Sequence, residues 1–327
     1  MAKVKVALIG AGSMANGVHY PSVTSFTDVD IVGLCDINQK RLEDTAKKFR
    51  IGATFSDYKL MLEKTAPDAV YVLMPPHVLF EVAMDVIDRG HALFVEKPPA
   101  LTTFQAMNLA RAAERKGVVT AVGFQRRYHP MVHKLWDEVR KRGAVHQVTG
   151  SFFKNLAPQQ VHPYYRGAID ILHCDAIHAV DSVRYYCGLS DVRSVQADIR
   201  KLDCWYDVSF NALIRFRNDA VGILQTNWRT GRRFFKFEFH AYNAMAFADI
   251  DGEGAAWADN KNEPVLKTDV NAAAGDSAMH VAQGFLAESR AFIDAVKSKT
   301  QLHNSMSDAV KSMELCDAIF AAARNEP

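Results

Sequence analysis

The stretch Val4–Asp36 constrains the fold of this chain more than any other part of its sequence. Val4–Ile9 is a short apolar run rich in β-branched side chains that ends at Gly10, as expected of a buried strand. Gly10, Gly12 and Ala15 follow with the spacing G-x-G-x-x-A, and a helix can begin directly after them. Gly10 permits a tight turn, Gly12 has no Cβ to keep a pyrophosphate from the backbone, and Ala15 lets the helix pack close to the strand. The pattern predicts a strand, turn and helix that bind phosphate groups at the helix N-terminus.

A second strand supports this interpretation. Val29–Cys35 is again apolar and rich in β-branched residues, and Asp36 follows it about 20 residues after the glycines. A carboxylate at this place accepts hydrogen bonds from the ribose hydroxyls of a dinucleotide. The glycine spacing alone also occurs in ordinary turns, but the strand, the glycines and the acid occur here together. The sequence therefore predicts a dinucleotide-binding βαβ unit.

Asp36 also indicates which dinucleotide binds. Its charge would repel the 2′-phosphate of NADP, and Ile37 and Asn38 offer no positive charge to hold that phosphate. Lys40 and Arg41 lie further along the chain, on the next helix. We therefore expect NAD rather than NADP as the cofactor.

Length, charge and cysteine content exclude several classes of protein. A chain of 327 residues is long for one core, so two domains are expected. Lys and Arg number 39 against 37 Asp and Glu, with no long run of one sign, so neither nucleic acid nor a membrane surface is expected as a partner. The most apolar later region, residues 69–87, is interrupted by prolines and charged side chains, so no membrane span is expected. Five cysteines without a C-x-x-C pair indicate free thiols in the cytoplasm.

The order of predicted elements gives the fold class, which is α/β. Strands and helices alternate up to residue 123, which predicts a parallel sheet covered on both faces. Between residues 192 and 257 several strand-like runs follow one another without a long helix, which predicts a large, mostly antiparallel open sheet. We therefore expect a Rossmann dinucleotide-binding domain at 1–123 and an α/β domain for substrate binding and oligomerisation at 124–327.

Residues with useful chemistry follow the predicted strands of the first domain. In an open α/β sheet, ligands bind beyond the carboxyl ends of the strands. Four short segments lie at such ends: Asp36, Met74-Pro75-Pro76-His77, Glu96-Lys97-Pro98, and Gly123-Phe124-Gln125-Arg126-Arg127-Tyr128. Lys97 directly follows a buried strand, where its ammonium can donate hydrogen bonds to a substrate hydroxyl. On composition alone, a solvated lysine is the more frequent interpretation of such a position.

Four motifs together give the chain a family resemblance. They are Gly10-Ala-Gly-Ser-Met-Ala, Cys35-Asp36-Ile-Asn38, Glu96-Lys97-Pro98 and Gly123-Phe124-Gln125-Arg126-Arg127-Tyr128. In this respect the chain resembles the glucose–fructose oxidoreductase/inositol 2-dehydrogenase (Gfo/Idh/MocA) family over nearly its whole length. The resemblance implies NAD(P)-dependent hydride transfer from a hydroxyl of a sugar, cyclitol or related polyol. It also implies a homodimer or homotetramer that assembles through the open sheet of the second domain.

The resemblance also implies roles for individual residues. Lys97 takes the place of the catalytic lysine of the family, and Pro98 follows a cis peptide bond. The expected cofactor contacts are Gly10, Gly12, Ser13, Met14, Ala15, Asp36, Met74, Pro75, His77, Glu96, Lys97 and Gln125. The expected substrate contacts are Lys97, Arg126, Tyr128, Tyr164, Cys174 and His178.

The second family motif is only partly present. Members carry Asp-x-Gly-x-His-x-x-Asp on a helix, and here His178 and Asp181 align with its end. Cys174 then stands where the first aspartate is expected, and Asp175 comes one residue late. Because residues three and four apart are neighbours on a helix, either can share a face with His178. We expect His178 to be the general acid/base and Asp175 to be its catalytic neighbour.

Two further kinds of site have weaker support. His173 and His178 are five residues apart and diverge on a helix, so no metal site is expected.

Two other functions are compatible with the same scaffold: an NAD-dependent glycoside hydrolase, and a sensor that binds the dinucleotide without catalysis. The presence of Lys97 argues against the sensor.

Overall fold

The computed structural model describes residues 3–157 and 161–324. Its strands are β1 (Val4–Ile9), β2 (Val29–Cys35), β3 (Thr54–Phe55), β4 (Ala69–Val72), β5 (Ala92–Val95), β6 (Thr120–Val122), β7 (Gln147–Asn155), β8 (Val192–Arg200), β9 (Ser209–Phe216), β10 (Val221–Asn227), β11 (Arg229–Ala241), β12 (Ala244–Asp249), β13 (Glu253–Ala258) and β14 (Leu266–Asp269). Its α-helices are α1 (Tyr20–Thr24), α2 (Gln39–Phe49), α3 (Tyr58–Thr65), α4 (Pro76–Asp88), α5 (Thr103–Lys116), α6 (Pro130–Arg140), α7 (Ile177–Tyr186), α8 (Val270–Ala274), α9 (Met279–Ala282), α10 (Phe285–Ser298) and α11 (Met306–Arg324).

The chain divides into two compact units. One comprises Met1–Gln125 and Ala278–Val310, and the other comprises Arg126–Ser277 and Lys311–Pro327. The return of the chain to the first unit has a clear cause, because Phe292 and Ile293 of α10 are fully buried in the apolar core of that unit. The domain boundary expected from the sequence, between residues 123 and 124, does not include this return of the chain.

The first unit contains the predicted Rossmann sheet. Its six strands lie in the order β3-β2-β1-β4-β5-β6, and every neighbouring pair is parallel. The direction of winding reverses between β1 and β4, so the crevice beyond their carboxyl ends is the expected place for a ligand. Asn38 and Asp57 cap α2 and α3 by accepting hydrogen bonds from the backbone amides of Arg41 and Lys59, as their positions predict.

The second unit contains a large, mostly antiparallel sheet, which confirms the predicted fold class. Its eight strands lie in the order β14-β13-β12-β11-β7-β10-β9-β8, and β7 with β10 is the one parallel pair among them. Along β11, Phe235, Phe237 and Phe239 are fully buried, and α6 and α7 pack against the sheet. The alternating residues Phe234 and Lys236 are half-buried on its other face.

The sequence pattern did not predict every element. Strand β14 and the short helices α8 and α9 lie beyond residues 192–257, the range in which the pattern predicts strands. Glu253–Ala258 is rich in alanine and Leu266–Asp269 is short and half polar, so neither has the β-branched pattern of a strand. Helix α10 begins at Phe285, because Gly284 has a φ of +92° and separates it from the short helix α9. Across the described residues, no helix combines the length and the apolar character needed to cross a membrane.

Candidate active site

The glycine turn after β1 has the geometry that its sequence predicts. Gly10 has a φ of +96°, and a Cβ at this position would lie 2.3 Å from the carbonyl oxygen of Leu73. Its N–H donates to the carbonyl of Cys35 over 2.8 Å, and its own carbonyl accepts a hydrogen bond from the hydroxyl of buried Tyr20. Only glycine fits this turn, because the backbone is left-handed there and another chain segment comes too close for a Cβ.

Asp36 is buried at the end of β2, with its carboxylate turned toward the glycine turn. Its Oδ2 accepts a hydrogen bond from the backbone N–H of Ala11 over 2.7 Å, and Oδ1 accepts one from that of Asn38 over 2.7 Å. Arg41, whose side chain is 54% exposed, reaches Oδ1 over 3.2 Å. Arg41 therefore lies beside the carboxylate, a proximity that its position five residues later did not reveal.

A cavity of about 220 Å³ joins these residues at the carboxyl ends of β1, β2 and β4. It brings together five of the expected cofactor contacts: Gly10, Gly12, Asp36, Met74 and Pro75. It also has lining residues that sequence reasoning missed, among them Arg41, Ser56 and Tyr58. Ser56 and Tyr58 could have been inferred from their position directly after β3, at the same edge of the sheet.

These residues fit a dinucleotide. A Cβ built on Gly12 meets no atom within 4 Å, so the glycine leaves open space beside the turn. Ala15 is buried where a helix must pack closely on the sheet, while Ser13, Met14 and His77 are exposed. Gln125 is buried, and its Oε1 has no hydrogen-bond partner among the described residues. The open space beside the turn can take a pyrophosphate. The buried carboxylate and the buried amide oxygen can accept hydrogen bonds from the donor groups of NAD.

The segment Glu96-Lys97-Pro98 follows β5 with a cis peptide bond between Lys97 and Pro98, as predicted. Lys97 is half-buried, and its backbone N–H donates to Oε2 of Glu96 over 3.0 Å. Burial would raise the pKa of Glu96, but the hydrogen bond and charge of His19, with the charge of Lys97, hold that pKa below its usual range. The carboxylate therefore stays ionised beside the lysine. Sequence reasoning did not select His19, although it is a lone titratable residue in the helical segment after the glycines.

In the second unit, the second family motif lies on a helix whose start is irregular. Leu172–Ala176 forms a π-helical turn, and α7 continues from Ile177. His178 lies in the first turn of α7 and is 7% exposed. Because a π-helical turn has wider spacing than an α-helix, the regular three-residue spacing assumed for Asp175 and His178 does not extend through it.

Asp175 belongs to a polar cluster with a lysine that sequence reasoning missed. Its Oδ2 accepts a hydrogen bond from the hydroxyl of Tyr164 over 2.5 Å and pairs with the ammonium of Lys154. The hydroxyl of Tyr164 in turn accepts a hydrogen bond from Nε1 of Trp228 over 3.1 Å. Burial and the charge of Asp175 raise the pKa of Tyr164, so the phenol stays protonated. Cys174, the alternative to Asp175, is buried.

The two adjacent arginines have different surroundings. Arg127 is fully buried, and its Nε and Nη2 donate to the two carboxylate oxygens of Asp181 over 2.8 and 2.5 Å. Arg126 is 8% exposed, and burial lowers its pKa to about 10 even though Asp251, Tyr186 and Asp175 favour its charge. Tyr128, the last expected substrate contact, is half-buried.

His173 is held between two carboxylates. Its Nδ1 lies 2.7 Å from Oδ2 of Asp170, and its Nε2 lies 3.3 Å from Oδ1 of Asp317. Burial opposes its charge, but these carboxylates raise its pKa to about 9. The residue therefore carries a proton at neutral pH. No group of three or more His, Cys, Asp or Glu side chains in residues 3–157 and 161–324 is arranged to hold a metal ion.

Comparison with known proteins identifies the first unit. Residues 4–124 match the family model of Gfo/Idh/MocA, described as an oxidoreductase family with an NAD-binding Rossmann fold. The chain carries the NAD-binding domain of the Gfo/Idh/MocA oxidoreductase family. For this domain, the family predicted from the sequence is confirmed.

Individual relatives agree with this match. The chain is 28% identical to D-glucoside 3-dehydrogenase of Escherichia coli (strain K12), over 59% of this chain and 57% of the relative. It is 26% identical to scyllo-inositol 2-dehydrogenase (NAD(+)) of Bacillus subtilis (strain 168), over 62% of this chain and 58% of the relative. The matched part thus spans less than two thirds of the length of these relatives. Levoglucosan dehydrogenase, solved with NADH and levoglucosan, has the same fold at 19% identity, with a TM-score of 0.84 over 99% of this chain and 98% of that one.

Proposed function

We propose that this protein is an NAD-dependent dehydrogenase that acts on a hydroxyl group of a sugar, cyclitol or related polyol. The observation that carries the proposal is that a buried acid and a lysine both follow strands of one parallel sheet. Asp36 directly follows β2 beside the glycine turn, and Lys97 follows β5 after a fixed Glu96. The two curated relatives named above are dehydrogenases of a glucoside and of an inositol, which agrees with this substrate class.

The first unit supplies the cofactor site in this proposal. Gly10 and Gly12 let the backbone approach the pyrophosphate, and Asp36 accepts hydrogen bonds from the adenosine ribose. The remaining proposed contacts are Ser13, Met14, Ala15, Met74, Pro75, His77, Glu96, Lys97 and Gln125. When bound there, NAD would supply the acceptor for the hydride of the substrate carbinol.

Lys97 and His178 carry the proton chemistry. The ammonium of Lys97 donates a hydrogen bond to the substrate oxygen and stabilises the negative charge that develops there as the C–H bond breaks. His178 accepts the hydroxyl proton, so that the C–O single bond becomes a carbonyl. In the reverse direction the same two residues return the proton and stabilise the alkoxide.

Residues of the second unit select the substrate. We assign Arg126, Tyr128, Tyr164 and Cys174 to substrate contact, together with His178, and Asp175 to their support. Tyr164 and Asp175 are already fixed to each other by a 2.5 Å hydrogen bond. A guanidinium and the phenol of Tyr128 suit a ligand with many hydroxyl groups, because both groups are directional hydrogen-bond donors, whereas the hydroxyl of Tyr164 already donates to Asp175.

We also propose that the protein forms a homodimer or homotetramer through the half-exposed face of the eight-stranded sheet. Phe234 and Phe247 lie on this face beside Lys236, whose ammonium is 5.1 and 5.0 Å from their ring centroids. Glu238 is two residues further along β11 on the same face. In a two-fold arrangement, the lysine of one copy can meet the glutamate of the other. We place the enzyme in the cytoplasm, since all five cysteines are free thiols.

A panel of sugars, cyclitols and polyols, each offered with NAD, tests the proposed activity. Reduced cofactor should form with at least one neutral polyol, and the same compound should raise the melting temperature in the presence of NAD. Lys97→Met is the matched control and should form none. Release of nitrophenol from a nitrophenyl glycoside, without net formation of reduced cofactor, would instead identify a hydrolase.

A further inference from the structure

The carboxylate of Glu96 is held by three segments of the first unit. Nε2 of His19 lies 2.6 Å from Oε1, and the backbone N–H of Lys97 donates to Oε2 over 3.0 Å. Gly123, directly after β6, approaches so closely that a Cβ there would lie 3.2 Å from Oε2. The glutamate is therefore fixed from the helical segment after the glycine turn, from its own strand and from the neighbouring strand.

His19 is itself fixed. Its side chain is fully buried, and the rings of Phe94 and Phe285 meet its ring edge-on, with centroids 5.3 and 5.5 Å away. Because Glu96 is ionised, its carboxylate can only accept, so the proton in the contact belongs to Nε2. A buried pair of this kind is weak evidence for stability, since apolar residues of similar volume often stabilise as much or more. Because Glu96 stands directly before Lys97, the pair instead indicates a role in positioning Lys97.

We propose that His19 is a positioning residue that, through Glu96, fixes the backbone from which Lys97 extends. This inference rests on the role of Lys97 in the proposed function. His19 ends the π-helical turn Ala15–His19, which follows the glycine turn. The contact therefore ties the dinucleotide-binding segment to the segment that carries the lysine.

Three substitutions at His19 separate positioning from packing. In His19→Gln the side-chain amide nitrogen takes the place of Nε2 and can still donate to Glu96. In His19→Asn the amide is too short to do so, and His19→Leu has no donor. Ser22→Ala is the matched control, because Ser22 is buried in the same segment and donates to Val18 rather than to Glu96.

The first readout needs no activity. Acylation of Lys97 by an amine-reactive ester is measured by mass spectrometry in the folded full chain, relative to exposed Lys64. We expect the relative rate to change about threefold or more in His19→Asn and His19→Leu, and to stay near the wild-type value in His19→Gln and Ser22→Ala. If His19→Leu does not fold, the pair of Asn and Gln variants decides the result. Wild-type labelling of Lys97 in the Asn variant would overturn the proposal.

The second readout is kinetic. With a polyol that the wild-type protein oxidises, His19→Asn should lower kcat about tenfold, while the KM for the polyol and the Kd for NAD change less than about threefold. His19→Gln should restore kcat. An equal loss of kcat in the Gln and Asn variants would contradict positioning. If Lys97 labelling follows the expected pattern but the wild-type protein oxidises no polyol, the proposed function fails and the positioning of Lys97 stands.

Discussion

The guanidinium of Arg127 and the carboxylate of Asp181 form a fully buried, two-pronged ion pair, with N–O distances of 2.8 and 2.5 Å. The hydroxyl of Ser312 adds a third hydrogen bond to Asp181 over 2.7 Å. The pair links the segment after β6 to α7, the helix that carries His178. It therefore fixes that helix within the second unit.

Removal of one partner from this pair should be costly. Arg127→Met leaves a buried carboxylate without its counter-charge, so we expect it to lower the free energy of unfolding by about 3–5 kcal/mol. The double variant Arg127→Met with Asp181→Leu should recover a large part of that loss, because no isolated charge remains. Urea denaturation of both variants measures the difference. A double variant less stable than Arg127→Met would contradict this account of the pair.

The two carboxylates that contact His173, those of Asp170 and Asp317, predict a dependence of stability on pH. Its pKa is about 9 in the folded protein against 6.5 for a free histidine, so its stabilising effect is complete below about pH 6.5 and disappears as the pH rises through 9. Because the side chains of Asp170 and Asp317 are 38% and 57% exposed, we expect on the order of 1–2 kcal/mol. Urea denaturation of the wild type and His173→Gln should show this gap at pH 6 and a smaller one at pH 10. A gap that grows with pH would contradict the assignment.

Asp36 and Arg41 predict the choice of cofactor. We expect tighter binding of NAD than of NADP, because Asp36 repels the 2′-phosphate and already engages Arg41. Asp36→Ser should weaken NAD binding about tenfold and reduce the preference for NAD over NADP, since Arg41 is then available to the 2′-phosphate. Arg41→Ala, the control at an exposed position, should change the Kd for NAD less than about threefold. Tighter binding of NADP by the wild type would refute the prediction.

Asp175 should matter more than Cys174. Its carboxylate holds Lys154 and Tyr164, so Asp175→Asn should lower kcat/KM about tenfold or more. Cys174→Ser should change it less than about threefold, because a small buried thiol mainly packs. Lys154→Met tests whether the cluster acts together and should resemble Asp175→Asn. A silent Asp175→Asn beside a crippling Cys174→Ser would show that the neighbour of His178 was wrongly chosen.

The sequence predicts the first unit well because its signals are local. The glycine spacing, the acid after β2 and the caps Asn38 and Asp57 each act within a few residues of their own position. Contacts between distant residues could not be predicted in this way. Glu96 and His19 are 77 positions apart, and Lys154 and Asp175 are 21 apart on different elements. The π-helical turn at Leu172–Ala176 also changes the spacing on which the helix-face argument for Asp175 depended.

The replacement of Lys97 by methionine tests the central proposal most directly. Methionine keeps much of the aliphatic length but has no donor or charge, and it leaves Asp36 and the glycine turn unchanged. With a polyol that the wild type oxidises, we expect kcat/KM to fall about 1,000-fold or more while the Kd for NAD stays within about threefold of the wild-type value. Near wild-type turnover in Lys97→Met would contradict the assignment of this lysine to the reacting hydroxyl.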